Sequence, residues 1–294
     1  MSPRFGAQSM VAPLRRVLVR RPGPAFATAD PAAWHYAGRP DPVRAEEEHS
    51  AFVSLLVAAG AEVIEHDQPL PGLADAMYVH DPVLICDRGA ILMRMGKVLR
   101  QGEEEAIGLC LEAAGVPIHY RLHGEARAEA GDCLWLDAHT LAVGLGFRTN
   151  AAGLAQLQEA LGDGVDIVPV PLPYHGGPDA CLHLMSFISL VDADLAVTYP
   201  PLMPVPFWQF LQSRGTRFVD VPEREFASMG SNVLALEPGR CVMLSGNPVT
   251  AGRLEAAGCD VETYEGREIS LKAEGGPTCL TRPVWRSTAV TTSV

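Results

Sequence analysis

One pattern recurs five times along this chain of 294 residues and restricts what it can fold into. A short β-rich run leads through a turn into a helical stretch that ends at glycine, and a second β-rich run follows. The opening runs are RRVLVRRPG from residue 15, GAILMRMGK from 89, TLAVGLGFRTN from 140, DLAVTYPP from 194 and RCVMLSGNP from 240. Each is apolar in alternation or throughout and is closed by turn residues. The helical stretches, such as VRAEEEHSAFVSLLVAAG and AAGLAQLQEALGDG, carry apolar residues at i, i+3, i+4 spacing and stop at a glycine suited to a helix C-terminus. At a period of roughly 50 to 70 residues, such units either stack in an array or close radially, and five of them fit closure. The expectation is a single α/β domain over 1–294, of five repeats at about 12–66, 76–122, 128–170, 181–221 and 230–290 that close around a centre.

Each unit continues into one more strand-like segment: AMYVHDPVLIC, EAGDCLWL, CLHLMSFISLV, GSNVLAL and GPTCLTRPV. Four of these place an acid, a histidine or a cysteine at comparable depth, namely Asp81, Glu129, His183 and Cys279, and the fifth offers Ser231 and Asn232. Radial closure predicts that these groups meet near one axis, whereas a solenoid would spread them along a surface. Such a group suits a guanidinium, whose N–H donors need carboxylates such as Asp81 and Glu129. Its carbon resists water, so a thiolate at Cys279 would divide one hard step into two easier ones. His183 would protonate the departing amine and deprotonate the incoming water.

Each residue also has an ordinary structural explanation. A cysteine in a Gly/Pro-rich segment can be a small buried hydrophobe, His183 can be a core histidine, and Asp81 before Pro82 fits turn chemistry. Only the recurrence at matching points of the repeats favours a joint site.

Composition excludes several classes. A net charge of −12 opposes nucleic-acid binding and suits a small cationic partner. No stretch reaches the roughly 18 apolar residues of a membrane span, and the first 25 residues lack a signal-peptide core, so a cytoplasmic protein is expected. Seven cysteines without C-x-x-C spacing point to neither a disulfide framework nor structural zinc. No metal and no cofactor are expected. The sequence does not fix the oligomeric state, and a homodimer is one assembly open to it.

These motifs, in this order, resemble the pentein superfamily of guanidine-modifying enzymes over nearly the whole chain, from VLVRRPG to GPTCLTRP, and the resemblance implies that family's five-bladed ββαβ propeller. They are most similar to dimethylarginine dimethylaminohydrolases, with arginine deiminases and amidinotransferases more distant. The resemblance implies that ADAMYVHDP supplies the guanidinium ligand Asp81 and a supporting carboxylate, Asp75. It implies Glu129 as guanidinium ligand and Asp132 as its support in EAGD, and Arg148 in GFRTN and Arg100 in KVLRQGE as grips for a substrate carboxylate. Arg100 could instead merely lead into its helix, and Thr149 or Asn150 could serve as an N-cap. His183 and Cys279 take the roles of acid/base and nucleophile. His80 stands where these hydrolases usually have glutamate, Met185 where deiminases have an aspartate, and Ala130 where a glycine is usual. The implied activity is hydrolysis of a guanidinium C–N bond through a Cys279 thiouronium, giving citrulline and an amine. Arginine deiminase or dihydrolase action, amidino transfer and non-catalytic arginine binding are the alternatives.

Overall fold

The computed structural model describes residues 4–178, 180 and 182–287. Among these, fifteen strands form five three-stranded sheets. The first sheet holds β1 (Leu14–Val19) and β2 (Glu62–Glu65). The second is β3 (Val83–Cys86), β4 (Gly89–Leu92) and β5 (Ile118–Arg121), and the third β6 (Cys133–Asp137), β7 (Thr140–Leu145) and β8 (Asp166–Pro171). The fourth is β9 (Ile188–Asp192), β10 (Leu195–Thr198) and β11 (Arg217–Asp220), and the fifth β12 (Val233–Glu237), β13 (Arg240–Leu244) and β14 (Asp260–Tyr264).

In the second to fifth sheets the first two strands pair antiparallel and the third runs parallel to the second, and in the first sheet β1 and β2 are likewise parallel. A tight turn can join the first pair, while the parallel pair requires a crossover, which a helix provides. The crossover helices are Pro42–Ala58, Glu103–Ala113, Ala151–Leu161, Val205–Ser213 and Pro248–Ala256. Asp41 caps the first by accepting from Val43 N and Arg44 N, and Asn150 caps the third by accepting from Gly153 N. The glycines that end them, Gly60, Gly115, Gly162, Gly215 and Gly258, all take positive φ, as their place past a helix end requires.

The first blade is completed differently from the sequence expectation. β15 (Arg282–Arg286) pairs antiparallel with β1, so the segment assigned to the fifth repeat supplies the inner strand of the first. Joining the two ends of the chain in one sheet closes the ring. Neighbouring blades touch all the way round: β15 meets β3, Ala130 N donates to Asp81 O, Leu184 N donates to Asp132, β9 meets β12, and β12 meets β1. Apolar side chains fill the space between helices and sheets, Phe52 and Leu56 of the first blade against Tyr264 of the fifth, and Leu157 and Leu161 against Leu141 within the third. Among the described residues no helix is long and apolar enough to cross a membrane. Cys181 and the end of the fifth repeat at 288–290 lie outside the described residues.

Candidate active site

The same step of each blade carries the polar groups. Asp81 lies just before β3, Glu129 before β6, His183 before β9, Asn232 before β12 and Cys279 before β15. Because all five inner strands are entered from one end of the ring, residues far apart in sequence converge there. Asp81, His183, Asn232 and Cys279 line one cavity of about 470 Å³.

Glu129 is completely buried and anchors the group. Its Oε2 lies 2.6 Å from His183 Nε2 and 3.5 Å from Arg148 Nη1, and its Oε1 accepts from Lys97 N at 2.9 Å. Burial alone would raise its carboxyl pKa, but His183 and then Arg148 and Arg100 outweigh burial and hold it below the usual carboxylate range. Pairing of Nε2 with the carboxylate orients the ring so that Nδ1 lies against Gly131. A Cβ on Gly131 would stand 2.6 Å from Nδ1 and 2.8 Å from Asp81 Oδ1, so the glycine of EAGD leaves room for both side chains. Ala130 takes no positive φ and is buried without strain.

Asp132 supports this arrangement from behind. It accepts from Thr149 Oγ1 at 2.6 Å and from Leu184 N at 2.9 Å, tying the turn that carries His183 to the turn that carries Glu129. Burial pushes its pKa up to about 6. Thr149 is therefore a support of the site, and Asn150, not Thr149, is the helix cap.

Asp81 pairs with Arg100, Nη1 to Oδ2 at 2.5 Å. Burial opposes its ionisation, yet His183 and Arg100 keep its pKa below the ordinary value. Arg100 itself is directed differently from the sequence expectation of a carboxylate grip. Its Nε and Nη2 donate to Glu103 and its Nη2 also to Tyr78 O, so two internal carboxylates already engage its donors. Asp75 accepts from Tyr36 OH at 2.7 Å and from Lys97 Nζ at 2.6 Å. Lys97, which sequence reasoning passed over, also lies over the Trp34 ring at 5.2 Å. With Arg148 it lines a narrow cleft of about 40 Å³ that shares Asp81, His183 and Cys279 with the larger cavity.

His80 lines the cavity but is committed to its neighbours. Nδ1 sits 3.0 Å from Thr281 O, and Arg282 Nη2 lies 2.9 Å from the ring. Burial, reinforced by Arg282, lowers its pKa to about 3, so it is neutral. Its backbone N donates to Cys279 O at 3.2 Å, which fixes the cysteine loop. That loop also approaches Asn232, whose Nδ2 lies 3.4 Å from Cys279 Sγ and whose Oδ1 accepts from Thr278 N. Gly275 and Gly276 permit the approach, since a Cβ there would stand 2.0 Å from the Tyr78 ring or 2.4 Å from Asn232 Cγ. The signal for Asn232 was present as the fifth member of the recurrent positions. Lys97 had no comparable mark.

Ligand atoms of Asp81, Glu129 and His183 lie within 4.8 Å of one another, a spacing a metal ion could use. Two guanidinium groups already engage those carboxylates, from Arg100 and Arg148, so the cluster is built as an ion-pair network.

A family model described as arginine deiminase matches residues 65–211 and 205–286. The chain belongs to the arginine deiminase family. As a family member it is a guanidino-group hydrolase of the pentein superfamily. It is 30% identical to the N(G),N(G)-dimethylarginine dimethylaminohydrolase of Streptomyces coelicolor over 270 residues, 91% of this chain and 96% of that one. Among solved structures, it resembles dimethylarginine dimethylaminohydrolase from Pseudomonas aeruginosa in complex with citrulline, with a TM-score of 0.75 at 23% identity, covering 92% of this chain and 98% of the other. It also resembles an amidinotransferase of the saxitoxin pathway from Microseira wollei, with a TM-score of 0.80 at 17% identity and 98% coverage of both chains. Those likenesses match the five-bladed fold that the pentein resemblance implies for this arginine deiminase family member.

Proposed function

We propose that this enzyme hydrolyses Nω-methylated arginine, dimethylarginine in particular, to citrulline and the methylamine. The observation that carries the reading is the meeting of Cys279, the His183–Glu129 pair and Asp81 around one cavity. Asp81 and Glu129 receive the substrate guanidinium, and Arg148 and Lys97 attract its carboxylate in the adjoining cleft. The Cys279 thiolate adds to the guanidinium carbon. His183, through Nδ1, protonates the substituted nitrogen, which leaves as an amine and gives a thiouronium on sulfur. His183 then takes a proton from water as it adds to that carbon, and the C–S bond breaks to release the ureido product and the thiolate. Each turn consumes one water.

Met185, beside the cavity, favours methylated nitrogen over free N–H, because a thioether is a poor acceptor for a buried donor. Among the described residues no two cysteines form a disulfide, in keeping with a reducing cytoplasm. The test is to incubate the enzyme with arginine, monomethylarginine and dimethylarginine. Citrulline and amine should form, fastest from a methylated substrate, and a quenched reaction should carry a mass adduct on the peptide containing Cys279. Absence of both product and adduct with all three substrates rejects the reading. Amine acceptors that replace water as the partner would convert it to amidino transfer.

A further inference from the structure

The reacting cluster has two unlike sides. Lys97, Arg100 and Arg148 line the narrow cleft, with Asp75 beside Lys97, and among the described residues no lysine or arginine lines the large cavity. A guanidinium is planar, with three nitrogens radiating from its carbon. If the carboxylate-bearing chain is drawn to the cations of the cleft, the nitrogens remote from that chain face the large cavity.

Beyond the cluster, this cavity is lined by Leu182, Met185, Phe226, Ala227 and Met229, with His175 and Glu274 as its other ionisable side chains. Phe226 is fixed there by stacking on Tyr199, with ring centroids 4.0 Å apart. Two serines at its edge are already engaged: Ser231 Oγ donates to Ser186 O at 2.7 Å, and Ser186 Oγ accepts from His183 N at 2.9 Å. The wall presented to a ligand is therefore largely apolar. The space of about 470 Å³, which includes the reacting cluster, is larger than a guanidinium with two methyl groups requires, since about 10–15 Å³ of such volume holds a water molecule.

We propose that, beyond methylated arginine, the site also takes Nω-substituted arginines whose substituent is an apolar group larger than methyl, an alkyl or arylalkyl group seated against Met185, Phe226 and Met229. This rests on the reading of the site as a hydrolase of Nω-substituted arginine. The bonds made and broken are those already given: sulfur joins the guanidinium carbon, the bond from that carbon to the substituted nitrogen breaks, and that nitrogen leaves as a primary alkylamine with a proton from His183. Water then releases citrulline.

The test measures kcat/KM for Nω-methyl-, Nω,Nω-dimethyl-, Nω-butyl- and Nω-benzyl-arginine by citrulline formation, on wild type and on Ala227→Trp. Ala227 is exposed at the cavity wall, so the indole narrows the cavity without entering the core. Wild type should turn over the butyl and benzyl substrates at more than about one-hundredth of the rate of the methylated ones. Ala227→Trp should lower kcat/KM for those two by about tenfold or more while changing the methylated substrates by less than about threefold, because each misplaced methylene in an apolar pocket costs about 10- to 200-fold. Turnover of methylated substrates with the larger ones below about one-hundredth of that rate overturns the proposal and leaves the hydrolase reading standing. No turnover of any substrate overturns both. An equal loss on all four in Ala227→Trp also counts against it, since the effect would then not lie in the substituent.

Discussion

Replacing Glu129 by glutamine changes one atom and sets two requirements against each other. In the wild type both carboxylate oxygens accept, Oε1 from Lys97 N and Oε2 from His183 Nε2 and Arg148. A glutamine has one oxygen and one NH₂. With the oxygen toward Lys97 N, the amide N–H faces His183 Nε2, and the imidazole must move its proton to Nδ1, the nitrogen that works as acid and base. With the oxygen toward His183, the NH₂ faces the Lys97 N–H, and a buried donor left without an acceptor costs about 1–3 kcal/mol. Either arrangement also removes the negative charge that favours a protonated ring during amine departure. Turnover should fall by about 10²- to 10⁴-fold, the range of general acid/base catalysis. Loss of stability in urea should be about 1–3 kcal/mol at neutral pH.

The pH dependence has a defined sign. The folded pKa of Glu129 is depressed, so its stabilisation is complete above the unfolded carboxyl value of about 4.3 and is lost as the pH falls from there toward the folded value. The stability gap between wild type and Glu129→Gln should therefore be constant from pH 6 to 8 and narrow in acid below about pH 4. Denaturant melts across pH and citrulline release under saturating substrate measure the two quantities. A variant with turnover within about tenfold of wild type, or a stability gap that widens in acid, would refute the reasoning.

Cys279→Ser should lose turnover by more than about 10³-fold while retaining substrate binding and melting temperature, because the contact from Asn232 Nδ2 to sulfur is long. Ligand titration and a thermal melt check this. Gly131→Ala should displace His183 and lower kcat by about 10²-fold, since its Cβ would stand 2.6 Å from Nδ1. A kcat unchanged from wild type would show that the ring has room to move. Met185→Asp should shift the kcat/KM ratio from dimethylarginine toward arginine by about tenfold, by supplying an acceptor for a free N–H. Asp132→Asn keeps an acceptor for Leu184 N and removes a carboxyl whose pKa burial raises to about 6. A raised folded value means that this carboxyl's contribution falls as pH rises through about 6. The stability of Asp132→Asn relative to wild type should accordingly improve between about pH 4 and 6 and level off above about pH 7 in urea melts.

By itself, the sequence determined the blades, because their signals are local. Alternation marks a strand, i, i+3, i+4 spacing marks a helix, and a glycine past the helix end marks the turn, so the strand–helix–strand part of each unit could be read within a few dozen residues. Repetition of these units also fixed which residues occupy equivalent positions, and therefore that Asp81, Glu129, His183 and Cys279 belong together. Only the tertiary structure decided which contacts those residues make. That Arg282–Arg286 completes the first sheet depends on pairing between segments more than 260 residues apart, as with Leu14 and Arg286, and no local pattern encodes that choice. The turning of Arg100 toward Glu103 and Asp81, the capture of Lys97 by Asp75 and the commitment of His80 to Arg282 arise because buried charges and polar groups must find partners wherever the closed ring brings them. Local periodicity does not record such partners, and they decide how the site holds its substrate.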